Sequence, residues 1–560
     1  MVYTTIISFS FGVNMLLQVE KATFSYGGSP LFKDISFSVN EGDRIGLVGD
    51  NGCGKSSLFR CIIGEEQISS GQITRTRNLG KLGYVPQNIP ENIKDTTFYN
   101  YLLEALPEEE RDYSFWKVDT TLEGLGVPEE IRNLKISQLS GGWQRLALIA
   151  RANMEEPDLL LLDEPTNYLD VGKIFKLEKW LNEEVTTPFV VISHDRTFLD
   201  NCTKKTMHLR GGNLIIHNLS YSGAREQLLN EDLAAAKARQ LEEAEITRIR
   251  NAAKRLHIWS NGRNPDMERR SKAIAHRADQ LEEQKTEVYI AKKRELEFEQ
   301  QSVRPNFLMT VHNMEVKTPD GRLLFKIPDM TVSRGDRIAI LGMNGTGKTQ
   351  LLKMLMRAYQ EPIYDKEHNR SMRFNPQVNI GYFDQHMANM PMKKSISSYI
   401  QTFVPTVQEA AKHLVRAGFE YNTHNTELEK LSQGEKARLA FLGLKLGKHN
   451  FYIMDEPTNH IDIDGQEKFE NSLADEGHTC IFVSHDRYMV SHIANRYFQI
   501  DKGVLREVPS YENFYEQVIK EEGNSNIVEP KQETKNNSKK GKQTKLNPRI
   551  MKELSGGKRK

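Results

Sequence analysis

The sequence predicts an α/β protein in which two copies of one parallel-sheet domain are joined by a long antiparallel α-helical hairpin. Three observations carry the prediction. A block of motifs recurs in the same order at an offset of about 292 residues. Within each block, short apolar runs alternate with helix-forming segments, the pattern of strands buried in a parallel sheet. Between the blocks, residues 224–261 and 266–304 contain neither glycine nor proline and are rich in helix formers, with a short break holding Gly262 and Pro265. A chain of 560 residues also exceeds what a single core normally organises.

The repeat is nearly gapless. The run LFKDISFSVNEGDRIGLVGDNGCGKSSL, from Leu31, matches LFKIPDMTVSRGDRIAILGMNGTGKTQL, from Leu324, and Lys55 and Lys348 lie 293 residues apart. Later landmarks keep the register: Gln87 with Gln385, Ser140 with Ser432, Asp163 with Asp455, and His194 with His485. Motifs that recur in one order, twice, describe a tandem duplication. The expected organisation is an extension at 1–14, a first domain at 15–222, the hairpin at 223–305, a second domain at 306–518 and a basic, mostly disordered tail at 519–560. Residues 1–14 lack the basic start of a secretory signal and read as a loose extension, or as a start placed upstream of Met15. At 1.5 Å per residue, each arm of the hairpin reaches roughly 55 Å.

Each copy carries G-x-x-x-x-G-K-[S/T] after an apolar strand. The first spans Gly49, Asp50, Asn51, Gly52, Cys53, Gly54, Lys55 and Ser56, followed by Ser57; the second spans Gly342, Met343, Asn344, Gly345, Thr346, Gly347, Lys348 and Thr349, followed by Gln350. Such a loop lets backbone N–H groups close around phosphates at a helix N-terminus, the lysine reaching the β and γ phosphates and the hydroxyl a magnesium ion. ATP and Mg2+ are therefore the expected ligands. Asp163 and Asp455 end apolar strands, where a carboxylate can hold the metal. Glu164 and Glu456, one residue on, are placed to orient and deprotonate an attacking water, and His194 and His485 to contact the γ phosphate from another strand end. Cys53 reads as the filler of a small variable position. The four cysteines show no paired spacing, which argues against a disulfide or zinc framework and fits a reducing cytoplasm. No run of about 18 uncharged apolar residues is present to cross a membrane.

Together these motifs resemble the ATP-binding-cassette (ABC) ATPases, a class of P-loop NTPases, over about residues 15–518. The resemblance implies that Gln87 and Gln385 join Ser56, Asp163, Thr349 and Asp455 at the metals. It also implies head-to-tail pairing of the two domains within one chain, with no obligate protein subunit. Ser432, Gln433, Gly434 and Glu435 would then face Lys55, and Ser140, Gly141, Gly142 and Trp143 would face Lys348. Tyr26 stands where the family stacks an aromatic ring on adenine; the second copy has Pro319 near that position and no aromatic, and its signature reads SQG where the first reads SGG.

The region 248–277 of the hairpin has nine Arg or Lys against Asp266 and Glu268, the footprint of phosphate-backbone contact. Candidate RNA contacts are Arg255, Trp259, Arg263, Arg269, Arg270, Lys272 and Arg277. A tandem pair joined by a charged helical linker, with no membrane span, resembles the ABC-F family. The resemblance implies a ribosome-binding protein seated in the tRNA exit site, its linker reaching the P-site tRNA near the peptidyl-transferase centre. The partners would be rRNA and tRNA, and the role that of a translation factor or of an antibiotic-resistance ribosome protection protein. The alternative is the ATP-binding subunit of a membrane exporter, a design that gives the hairpin no role. DNA-repair relatives that split one ATPase head around a coiled coil do not fit, because both phosphate loop and strand-end carboxylate precede this linker.

Overall fold

The computed structural model describes residues 15–77, 79–260, 264–286, 307–361, 372–385, 387, 390–459, 461–474 and 478–521. The extension at 1–14, Arg263, the second arm beyond residue 286 and the tail from 522 lie outside the described residues. The chain divides into two compact units, one holding both duplicated domains and the other the hairpin.

In the first domain, strand Met15–Tyr26 lies between Ser29–Asn40 and Ser70–Arg75 in an antiparallel sheet. A six-stranded sheet follows in the order Leu82–Val85, Leu159–Asp163, Phe189–Ile192, Arg44–Gly49, Lys205–Arg210 and Asn213–His217, parallel except for its last strand. The central runs LLLLD and FVVI are buried at every residue, as strands covered on both faces must be. One core lies between the two sheets, built on Phe32, Leu47, Phe59 and Ile192; another packs Phe98, Leu146, Trp180 and Phe198 on the opposite face.

The second domain repeats the order, but its two sheets are joined into one of nine strands. The difference is a single pairing, Lys326 with Val504. The underlying hydrogen bond is present in both copies, Lys33 N to Gly212 O and Lys326 N to Gly503 O, each 2.9 Å.

The domains share their cores at the edges. Ile463 of the second copy is buried in the first copy's helical core, and Val171 of the first copy in the second's. Two buried ion pairs related by the repeat offset cross between them. Arg196 forks onto Glu470, with Nη1 2.9 Å from Oε2, and Arg487 forks onto Glu178, with Nη1 3.2 Å from Oε2. Each guanidinium also covers an aromatic ring of the other copy, Tyr488 at 3.9 Å and Phe175 at 4.9 Å. Planar, delocalised and weakly hydrated, guanidinium suits such burial better than ammonium.

The hairpin unit contains the helix reaching Ser260, which begins at Tyr221, and a second helix, Pro265–Glu283. Asn264 caps the second helix by accepting from Met267 N, and Pro265 occupies its first turn, where a missing N–H costs nothing. Ser271 Oγ donates to Ala253 O at 2.8 Å across the pair, and Ala278 is fully buried. The expectation of one unbroken helix over 266–304 is corrected here, because the helix ends at Glu283 with Gln284 as its cap. Glu242 on the first arm accepts from Thr286 N at 2.8 Å and Oγ1 at 2.7 Å, taking that amide out of any helical ladder.

Candidate functional site

The phosphate loops take the same shape in both copies. Gly54 and Gly347 begin their helices at φ 103° and 102°, a conformation that side chains rarely adopt. A Cβ on Gly347 would also lie 2.7 Å from Leu324 Cδ1. Lys55 Nζ donates to Gly49 O and Asp50 O at 2.7 and 3.1 Å, and Lys348 Nζ to Gly342 O and Met343 O at the same two distances. Each ammonium is thus poised inside its own loop on neutral carbonyls that an anion can replace. Burial pushes the Cys53 thiol up and away from reactivity, in keeping with a filler role.

Asp163 and Asp455 close the buried strands Leu159–Asp163 and Phe451–Asp455 and are 1% and 0% exposed. Burial raises both pKa values, while the hydroxyls of Ser56 and Thr349 beside them favour the charged form. Those hydroxyls do not complete hydrogen bonds of good geometry, so Asp163 Oδ1 and both oxygens of Asp455 have no partner among the described residues. A buried carboxylate with open lone pairs beside a hydroxyl fits a hard divalent cation.

Glu164 and Glu456 follow at φ 54° and 49°, strained values for a non-glycine residue and ones that cluster at working sites. Burial pushes both up to about 8. His194 Nε2 stands 3.2 Å from Glu164 Oε1; in the second copy His485 N donates to Glu456 Oε2 at 3.1 Å and its Nε2 is 3.5 Å from Oε1. Burial and then Lys348 push His485 down to about 3, so its ring is neutral, and Nε2 lies 2.9 Å from Asn344 Oδ1 in the phosphate loop.

The signature serines head the helices Gly141–Met154 and Gln433–Leu446. Ser432 and Glu435 form a reciprocal capping box, which occupies that hydroxyl locally; Ser140 makes no such bond. What crosses toward the first phosphate loop is Asp462, whose Oδ2 accepts from Asn51 N at 3.0 Å. Gln87, exposed, and Gln385, half-buried, sit two residues beyond strands that pair with those ending in Asp163 and Asp455. Tyr26 is exposed and its hydroxyl donates to Glu66, leaving the ring open for stacking. The equivalent second-copy turn, Thr318–Arg322, has no aromatic.

Arg145 and Asp384 are among the residues that escaped the sequence reading. Arg145, fully buried in the first signature helix, donates Nη2 to Gln87 O at 2.8 Å and Glu164 O at 3.0 Å, and Nη1 to Pro86 O. It ties the glutamine loop to the strand end. Its counterpart is Ala437, and where the first copy has Pro86 the second has buried Asp384, whose charge raises the Asp455 pKa further. The two sites therefore differ by a buried cation in one and a buried anion in the other. The only signal for this was the motif variation itself, Pro86 against Asp384 and Arg145 against Ala437.

In the hairpin unit, Arg255, Trp259, Arg269, Arg270, Lys272 and Arg277 are all exposed, Trp259 at 72%. Lys272 is 3.0 Å from Glu268. Arg250, counted in the basic footprint, is committed within the hairpin to Asp279 at 3.0 Å and Glu282 at 3.2 Å. No described helix is long and apolar enough to cross a membrane.

The family model described as ABC transporter matches twice, at residues 32–167 and 325–459. Curated relatives match across nearly the whole chain. ABC transporter F family member 5 of Arabidopsis thaliana is 28% identical over 90% of this chain and 78% of its own length. Ribosome protection protein VmlR of Bacillus subtilis (strain 168) is 28% identical over 90% of each, and probable ATP-binding protein YbiT of Escherichia coli O157:H7 is 29% identical over 91% of this chain and 100% of its own. Among solved structures, the archaeal ribosome recycling factor aABCE1, in complex with a ribosomal stalk protein, superposes with a TM-score of 0.60 over 89% of this chain and 92% of that one at 17% identity, a likeness of fold. Two cassette matches, and relatives of the F type aligned over about 90% of the chain, make it similar along nearly its whole length to the ABC-F type of ATP-binding-cassette proteins.

Proposed function

We propose that this protein hydrolyses ATP at two sites composed across the domain pair and uses the cycle to bind and leave the ribosome. Its hairpin would act on RNA at the tRNA exit site and on the P-site tRNA near the peptidyl-transferase centre. The observation that carries the reading is the hairpin between the cassettes, which bears five exposed cations and an exposed Trp259. Such a surface meets a phosphate backbone and gives a base a ring to stack on. A relative of similar length is named a ribosome protection protein.

Lys55 and Lys348 exchange their loop carbonyls for β and γ phosphate oxygens. Ser56, Asp163 and Gln87, and likewise Thr349, Asp455 and Gln385, would hold magnesium, which would supply charge neutralisation at the phosphates. Glu164 and Glu456 orient the water and take its proton, and their raised pKa suits a base working near neutrality. His194 and His485 contact the γ phosphate, and the signatures at Ser140 and Ser432 close the opposite sites. Asp462 at Asn51 N supports that cross-domain closure.

The test expresses Glu164→Gln with Glu456→Gln, which removes the bases while leaving the phosphate loops intact, and sediments lysate through sucrose with ATP. Co-sedimentation with ribosomes and arrested growth are expected. Partition into membranes instead would favour the exporter subunit and overturn the ribosomal reading.

A further inference from the structure

The two ATP sites receive different residues from the opposite domain. At the first, Asp462 reaches across from the start of a helix that begins Ile463, Asp464, Gly465, with no side chain at the third position. Its Oδ1 caps that helix at Gly465 N, 3.0 Å, and its Oδ2 goes to the Asn51 amide. At the second site the corresponding carboxylate is Asp170, and the residue matching Gly465 is Lys173. Asp170 Oδ1 caps its helix at Lys173 N, 2.9 Å, while Oδ2 is taken by Lys173 Nζ at 2.5 Å. The lysine diverts the contact that its sister makes with a phosphate loop.

Lys173 is also placed where a nucleotide would be sandwiched. Its stem lies against the second glycine of the signature, since a Cβ on Gly142 would be 3.1 Å from Lys173 Cδ. Its Nζ stands 5.0 Å over the Trp143 ring, and its side chain is 13% exposed. Across the domain boundary its charge reaches His485, and that of Asp170 reaches both His485 and Lys348. Lys173 thus lies against the signature of one domain with its charge acting on the switch histidine of the other, and among the described residues Asp170 is the carboxylate paired with it.

We propose that Lys173 is a second phosphate-binding cation of the second ATP site, supplied by the opposite domain and directed at the terminal phosphate. This rests on reading the two loops as ATP sites. An arriving triphosphate offers more negative charge than Asp170, so Nζ transfers to a γ-phosphate oxygen, and Asp170 is released to make the contact that Asp462 makes in the first site. The Trp143 face holds the ammonium over the signature during the exchange. The first site has Gly465 at the matching position, so the second discriminates more strongly between ATP and ADP.

The experiment uses full-length protein carrying Lys55→Ala, to silence the first site, and Glu456→Gln, to block turnover at the second. Binding of fluorescent ATP and ADP analogues with magnesium is then compared with and without Lys173→Met. The expected result is an ATP Kd raised roughly tenfold or more, the loss of a charge-assisted hydrogen bond, with the ADP Kd within about twofold. Lys173→Arg should keep most of the ATP preference. Equal loss of ATP and ADP, or unchanged ATP affinity, overturns the proposal while leaving the site an ATP site. A parent protein that binds neither nucleotide overturns the ATP-site reading, and this inference with it.

Discussion

The crossed arginine–glutamate pairs allow a quantitative test of how the domains are held together. Arg196 is 3% and Glu470 1% exposed, and Asp486 Oδ2 lies 3.5 Å from Arg196 Nη2. Replacing Arg196 with Met keeps much of the stem's packing but takes the cation from buried Glu470 and from the half-buried Asp486 beside it. Removing one partner of a buried pair costs about 3–5 kcal/mol, and the second carboxylate puts this case toward the upper end. Arg196→Met with Glu470→Leu removes the stranded charge as well, and such apolar replacement of a whole pair is close to neutral. A double-mutant cycle by urea unfolding of the nucleotide-free protein should show a single-variant cost of about 4 kcal/mol, with about 2 kcal/mol or more recovered in the double variant. Arg487→Met, through Glu178 and Asp195, should behave alike because the repeat reproduces the geometry. A single-variant cost under about 0.5 kcal/mol, or costs that simply add, would show that these pairs do not lock the domains.

Two further outcomes follow from the sites. Because burial pushes Glu164 and Glu456 up to about 8, the folded nucleotide- and metal-free protein binds more protons than the unfolded chain between roughly pH 4.5 and 8, and its stability falls as pH rises through that window. Glu164→Gln or Glu456→Gln should therefore raise Tm at pH 8 by an amount worth about 1–3 kcal/mol and change it little at pH 5; a gain independent of pH would place the effect elsewhere. Gly49→Ala should abolish fluorescent-nucleotide binding at the first site, since its Cβ would lie 2.2 Å from Leu209 O, whereas Gly342→Ala meets only the movable Thr346 Oγ1 at 3.0 Å and should be far milder. Equal losses at the two positions would contradict this.

The duplication, the parallel-sheet character of each copy and the positions of Lys55, Asp163, Glu164 and their counterparts were legible because each is a local motif with a required backbone. Glu164 and Glu456 could be picked out by their place after a buried strand, although nothing local disclosed their left-handed conformation. What stayed hidden depends on residues meeting from distant parts of the chain. Arg145 reads as one more surface charge of an amphipathic helix until the glutamine loop's carbonyls surround it. Glu178 and Glu470 look like solvated helix residues, and only the pairing of the domains buries them. The second arm of the hairpin reads as continuous helix through Gln284, because the break comes from Glu242 on the other arm and not from any breaker of its own.

The proposed function has an ATP-driven pair of cassettes present a basic hairpin to RNA. Its most direct test is ribosome co-sedimentation, with ATP, of the Glu164→Gln and Glu456→Gln protein with and without Arg269→Glu and Arg270→Glu. Both arginines are exposed and remote from the phosphate loops in sequence, so nucleotide binding should be unchanged while ribosome association falls at least tenfold and becomes less sensitive to salt. Undiminished association with the reversed charges would contradict the claim that the hairpin makes the contact.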